Sequence, residues 1–347
     1  MTSIMHLLVD FICVSTLMYS YYDSFGNSFF IYVFLIYNCI AFLTQPFIGL
    51  WLDKVNETYF MKAMMIFSAV FVIIGSNLLI AFGVIPTFSI IGTLLLGLGN
   101  SLFHVVGGKE ITSTSNKSTP GGLFVSTGAI GVGLGMLFNQ RLLFVPALIL
   151  VIAPFIYGIL SVVHIFIKND NYKLNYEPIK QSPKILVAIA LILCIAVGIR
   201  SFVGFYATYS NNLKGAPLIL LLSICAFLGK AIGGILLDLV GPYVTISIST
   251  ILGAVAGLLL KFITFDYIFV FSINLLMPLT LDLIRRIFPK HEGFSFGLLA
   301  AFLVPGYLLG HLMNEYSIYD FSWILILLTG GMLIAIYLIN RKNKCVQ

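Results

Sequence analysis

The sequence predicts an all-α integral membrane protein of about twelve transmembrane helices in two pseudo-symmetric six-helix bundles. Three observations carry that expectation: a composition too apolar for a water-facing surface, twelve apolar runs of spanning length, and one polar linker between the sixth and seventh. Hydrophobic residues fill 60% of the 347 positions and charged residues 9%, whereas a soluble domain carries about 25% charge. The mean hydropathy of +1.06 agrees. A crossing helix needs roughly 20 apolar residues, so twelve with short loops use nearly the whole chain.

The runs fall at about 4–22, 28–51, 60–82, 86–109, 121–140 and 142–167, then at about 184–209, 216–238, 243–260, 267–287, 293–313 and 321–340. The polar stretch Lys168–Lys184 between the two sets carries six charges together with Pro178 and Pro183. It divides the chain into an N-terminal bundle (1–168), a linker on the cytoplasmic side (169–184) and a C-terminal bundle (185–347). No Lys or Arg precedes the first run, so it is expected to stay as a helix and not to be cleaved as a signal peptide.

Charge placement orients the chain. With the N-terminus inside, the inner ends and loops hold fourteen of the nineteen basic residues, among them Lys54, Lys62, Lys109, Lys117, Arg285 and Arg286. The outer loops hold three: Arg141, Lys214 and Lys261. That asymmetry predicts cytoplasmic N- and C-termini in the cell membrane. It also makes the net charge of +6 a topology signal, with no nucleic-acid partner implied. The five cysteines show neither disulfide nor metal-ligand spacing, and no metal or other cofactor is expected.

An internal repeat strengthens the two-bundle reading. Gly49-Leu-Trp-Leu-Asp53 ends the second run, and Gly234-Ile-Leu-Leu-Asp238 ends the eighth. Parallel halves of this kind form a transporter architecture with a site between them. In this arrangement Gln45-Pro-Phe-Ile-Gly49-Leu-Trp-Leu-Asp53-Lys54 resembles the loop 2–3 signature of the major facilitator superfamily, although Val55-Asn56-Glu57 replaces its later basic run. The resemblance implies secondary transport by alternating access. It assigns Gly49, Asp53, Lys54, Gly234 and Asp238 to a cytoplasmic gate, where each acid can face the positive end of a neighbouring helix, such as one starting near Gly293. Gly122, Gly131 and Gly135 in the fifth run are similar to the glycine pattern of drug-exporting members, with Met136 where that pattern has proline. Such glycines let helices approach closely, and a generic packing face is the competing reading. Gly99-Asn-Ser-Leu-Phe103-His104-Val-Val-Gly107 and His6-Leu-Leu-Val-Asp10 are similar to segments of the fosmidomycin-resistance group of drug:proton antiporters.

Ionisable groups within spanning helices are costly and default to functional candidates. The superfamily resemblance implies that helices 1, 4, 7 and 10 line the central cavity. Those runs hold His6 and Asp10, Asn100 and His104, Arg200, and Asn274 and Asp282. His6 and Asp10 share a helix face at i,i+4, as do Asn100 and His104. Asp10, His104 and His6 are the expected proton-coupling residues, since burial and neighbouring charge tune a carboxylate and histidine titrates near neutrality. A structural hydrogen-bonded cluster is the alternative. Arg200 and Lys230, with Asn100, Asn274 and Tyr206, are the expected substrate contacts, and the two cations suit an anionic solute. The alternatives are an ion pair of Arg200 with Asp10 and a Lys230 that snorkels. Asp282 and Arg285 are read as gate charges at the inner face.

The chain therefore reads as a proton-coupled secondary transporter, a monomer moving a small organic solute, with export preferred to uptake symport. It is not read as an enzyme. A lipid-modifying enzyme using His6, Asp10 and His104 is the remote alternative, and it lacks H-x-x-x-H or D-x-x-D on one helix. P-loop and nucleophile-elbow patterns are also absent from the sequence.

Overall fold

The structure is a computed structural model, and it describes residues 2–20, 27–55, 58–137, 176–209, 216–260, 262–313 and 321–344. The described residues form helices and their connections, without a strand among them. The first half contains α1 (Thr2–Tyr19), α2 (Asn27–Asn38), α3 (Gln45–Lys54), α4 (Thr58–Phe82), α5 (Pro86–Thr114) and α6 (Thr119–Leu137). The second contains α7 (Pro183–Tyr209), α8 (Ala216–Leu258), α9 (Ile263–Asn274), α10 (Met277–Ile287), α11 (Glu292–Ala301), α12 (Leu303–Leu312) and α13 (Ser322–Lys344). Ten helices or helix pairs among the described residues are long and apolar enough to cross a membrane. Eleven of the twelve expected runs coincide with them, because α8 covers both the eighth and the ninth. The sixth run, 142–167, and the linker up to residue 175 lie outside the described residues.

Three runs expected as single helices are broken, each at a proline. Pro46 has no N–H and its ring crowds the preceding turn. The chain answers with a π-helical stretch, Cys39–Leu43, between α2 and α3. Thr44 Oγ1 donates to the Ile40 carbonyl at 2.6 Å and Gln45 Nε2 to that of Ala41 at 2.8 Å, supplying donors to the loosened turn. Pro278 opens α10 and separates it from α9. Pro305 sits in the first turn of α12, just after the break at Phe302. Gly241, with φ of 81°, and Pro242 break α8 into two helices. A side chain at Gly241 would make that left-handed backbone costly.

Close backbone contacts join the halves. A Cβ on Gly122 of α6 would lie 2.7 Å from the Lys230 carbonyl of α8, and one on Gly234 would lie 3.0 Å from Ser118 and Thr119. Gly131 and Gly135 press instead on the α1 backbone, at Leu7 and Phe11. So α6 touches α1 on one face and α8 on another, and its only side chains are small or apolar. That places α6 between the two halves and beside His6, Asp10 and Lys230.

Candidate functional site: a buried histidine–carboxylate cluster and a closed bundle end

His6 and Asp10 of α1 face His104 of α5, and all three are buried. His6 Nε2 lies 3.2 Å from one Asp10 oxygen, and His104 Nε2 lies 3.6 Å from the other. The two Nε2 atoms are 2.8 Å apart, with the rings perpendicular. Each Nδ1 is engaged by a backbone carbonyl: Phe124 O at 2.7 Å for His6 and Asn100 O at 2.9 Å for His104. A carbonyl only accepts, so both Nδ1 atoms carry the proton and each neutral ring presents Nε2 as a lone pair. Two lone pairs and a carboxylate then converge with no donor among them. A proton on one Nε2 would supply the missing donor and make that arrangement favourable.

Phe103 and Phe124 flank the His6 ring and keep the surroundings apolar. The backbone of Gly128 abuts His6 Nε2 and Asp10 from the α6 side, where a Cβ would collide with both. Asn100 donates its amide to the Tyr37 hydroxyl, and its Oδ1 is buried with no protein partner among the described residues. The three ligand atoms lie within 4.8 Å of one another, a spacing that also fits a metal ion. Charge favours the proton. A divalent ion would add two positive charges beside Lys230, which is within electrostatic reach of Asp10, and the cluster supplies a single carboxylate to oppose them.

Apart from Asn100 in α5, the expected substrate contacts are spread along the second half. Lys230 of α8 crosses to the first half and donates to the Val125 carbonyl at 3.2 Å. Arg200 of α7 borders two narrow cavities, each with room for little more than a water molecule. Asn274 donates back to Val270 on its own helix and packs against Gly229. Tyr206 lies in α7, with its side chain outside the described residues.

The end of the bundles bearing the Gly-x-x-x-Asp repeat is closed by paired devices. Asp53 at the end of α3 accepts from the amides of Gly293 and Phe294, at 3.0 and 2.8 Å, on the first turn of α11. Asp238 of α8 accepts from the amides of Ser118 and Thr119, both at 2.8 Å, on the first turn of α6. Each carboxylate thus satisfies unpaired helix N–H groups in the opposite half. Gly49 meets the Gly293 backbone so closely that a Cβ would overlap it. Arg285, held by Asp282 at 2.6 Å, donates to the carbonyls of Thr112 in the last turn of α5 and of Ser115 and Asn116 just beyond it. Its guanidinium also lies 5.4 Å from the centre of the Tyr176 ring. Tyr176 donates to Glu292 at 2.9 Å, and burial pushes its phenol up to about 12, so it remains a donor.

Two residues depart from the sequence reading here. Lys54 is exposed on α3, and the ammonium beside Asp53 belongs to Lys109 of α5, at 3.3 Å. Lys109 also donates to the Leu52 carbonyl at 2.6 Å. The sequence offered no signal that separated Lys109 from other basic residues at helix ends. Nor did it single out Gly128 or the carbonyl of Phe124, which act through the backbone.

No protein-family model matches the chain, and no curated protein matches it in sequence. Its fold is that of solved transporters. It is similar to a major facilitator superfamily transporter, FucP, in the outward conformation, with a TM-score of 0.65 and 12% identity over 98% of this chain and 99% of that one. It is likewise similar to a variant of the E. coli fucose:proton symporter FucP, with a TM-score of 0.64 and 13% identity over 98% and 97% of the two chains.

Proposed function

We propose that this chain is a proton-coupled secondary transporter of the major facilitator superfamily, moving a small organic solute by alternating access. The observation that carries the reading is the cluster of His6, Asp10 and His104, where three acceptors converge and require a bound proton. Its position against α6, the helix between the halves, links proton occupancy to their relative movement. The Asp53 and Asp238 contacts supply the gate, since each must break for the inner end to open. The likeness of fold to a proton symporter supports this reading. A lipid-modifying enzyme is disfavoured because all three cluster residues are buried between helices, where a bilayer substrate has no access.

The test is solute-induced proton flux in proteoliposomes, screened over small sugars, organic acids and amines. Wild-type protein should acidify or alkalinise the lumen with one of these classes, and Asp10→Asn should abolish that flux while eluting as a folded protein. Unchanged flux in Asp10→Asn would remove the cluster from coupling. The charge asymmetry also supports a topology with both termini in the cytoplasm. Cys345 should therefore resist an impermeant thiol reagent in intact cells, and ready labelling would invert the topology.

A further inference from the structure

Charges in the middle of the bundle do not balance. At the inner end, Asp53 and Asp282 are matched by Lys109, Arg285 and Arg286. Further along the helices, Asp10 has the Lys230 ammonium within electrostatic reach, and Arg200 lies beyond Lys230. Lys230 is within electrostatic reach of Asp10 on one side and of Arg200 on the other. The guanidinium of Arg200 has no carboxylate or hydrogen-bond acceptor among the described residues. It borders cavities lined by Ser249, Thr280 and Thr329. Among the described residues of this region, two cations against one carboxylate leave one net positive charge when the histidines are neutral, and a proton on the cluster makes it two. Uncompensated charge in this medium is expensive, so a bound anion is the missing partner.

We propose that Arg200 and Lys230 take a small organic carboxylate when the helices around them part during alternating access, and that this anion and the cluster's proton bind cooperatively and travel together as symport. The proposal rests on the cluster being the proton site. A proton adds positive charge near the anion and so raises its affinity, and by linkage the anion raises the proton's affinity by the same factor. A cationic solute would compete with the proton, which is the logic of exchange. Proton and monoanion together also leave the interior charge as it is in the empty carrier, whereas either alone changes it by one. Empty and doubly loaded forms therefore meet the same electrostatic cost on reorienting, and singly loaded forms do not. The glycine spacing of α6, which suggested export, has a packing explanation in its contacts with α1 and α8.

Other ionisable groups near the cluster are few. Cys13 of α1 and Tyr37 of α2 lie close to Asp10. The helix α6 has no ionisable side chain, and α4 meets α1 through the Ser76–Thr16 hydroxyl pair at 2.6 Å. On the α8 side, Asp266 and Tyr267 of α9 lie a turn or more from Phe271 and Asn274, which pack on Gly229.

The experiment measures binding of lactate, benzoate and gluconate, each beside its neutral amide, to the purified full-length protein at pH 5.5 and 7.5. At least one acid should bind, its amide should not, and affinity should be about tenfold higher at pH 5.5, within the range of measured couplings. Arg200→Gln should abolish the binding and Arg200→Lys should weaken it about tenfold, since a bidentate fork becomes a point charge. Asp10→Asn, which removes the opposing negative charge, should bind at pH 7.5 about as tightly as wild type does at pH 5.5. Amides binding as well as acids, no acid binding, or affinity that falls at low pH would overturn the proposal. Arg200-dependent binding with no pH dependence would instead overturn the proton role of the cluster and leave the anion site standing.

Discussion

The closure at the Gly-x-x-x-Asp end and the histidine–carboxylate cluster both bury carboxylates beside nitrogen groups, yet they are built on opposite principles. At the closure every acid is saturated. Asp53 takes two amides and an ammonium, Asp238 two amides and a hydroxyl, and Asp282 two guanidinium groups. In the cluster, Asp10 and two imidazole Nε2 atoms present lone pairs to one another, and the donors have been drawn away to Phe124 and Asn100. A saturated carboxylate fixes a geometry. An unsaturated set of acceptors holds a mobile charge. On the proposed function the same residue types serve as a lock at one depth and as a proton site at another, and the positions of nearby backbone groups decide which.

Thermal unfolding of the purified protein can break this contrast, because neutralising an acid should be costly in the lock and cheap in the cluster. Asp282→Ala should have the largest effect, a loss of about 3–5 kcal/mol, since it strands the buried Arg285 without its partner. Asp53→Asn should come next at about 2 kcal/mol, the worth of a charge-assisted bond to backbone amides. Asp10→Asn should cost under about 1 kcal/mol, because the variant keeps the shape and removes a buried charge. A cost for Asp10→Asn equal to that of Asp53→Asn would make the cluster a structural lock as well. Smallest of all is Lys54→Gln, within about 0.5 kcal/mol as for an ordinary surface change, while Lys109→Gln should approach Asp53→Asn. Equal effects at Lys54 and Lys109 would mean that the Asp53 pairing with Lys109 contributes nothing.

Much of the fold follows from sequence alone, because hydropathy and helix period are local quantities. Apolar runs of spanning length specify helices in lipid whatever packs against them, since every backbone polar group must be satisfied within the segment. The i,i+4 spacing brings His6 beside Asp10, and the geometry of the α3 end aims Asp53 at a helix terminus near Gly293, where its carboxylate is found. The proline breaks at Pro46, Pro278 and Pro305 were written in the chain too. Strong hydropathy masked them, because proline is tolerated in membrane helices where side chains and neighbours re-satisfy the backbone.

Contacts between helices were a different matter, and only the tertiary structure decided them. Nothing in the spacing of α1 and α5 says that His6 and His104 meet edge to edge at Nε2, or that Phe124 and Asn100 fix their tautomers. Those distances depend on how closely α6 approaches α1 and α8, which is set by the missing Cβ atoms at Gly122, Gly128, Gly131 and Gly135. The choice of Lys109 over Lys54 has the same origin. Adjacent in sequence to Asp53, Lys54 points away from the inter-helix seam, while Lys109 arrives from another helix through packing alone. Residue type and period state which groups a helix face carries. The depth and rotation at which two faces meet are collective results of packing, and no single segment encodes them.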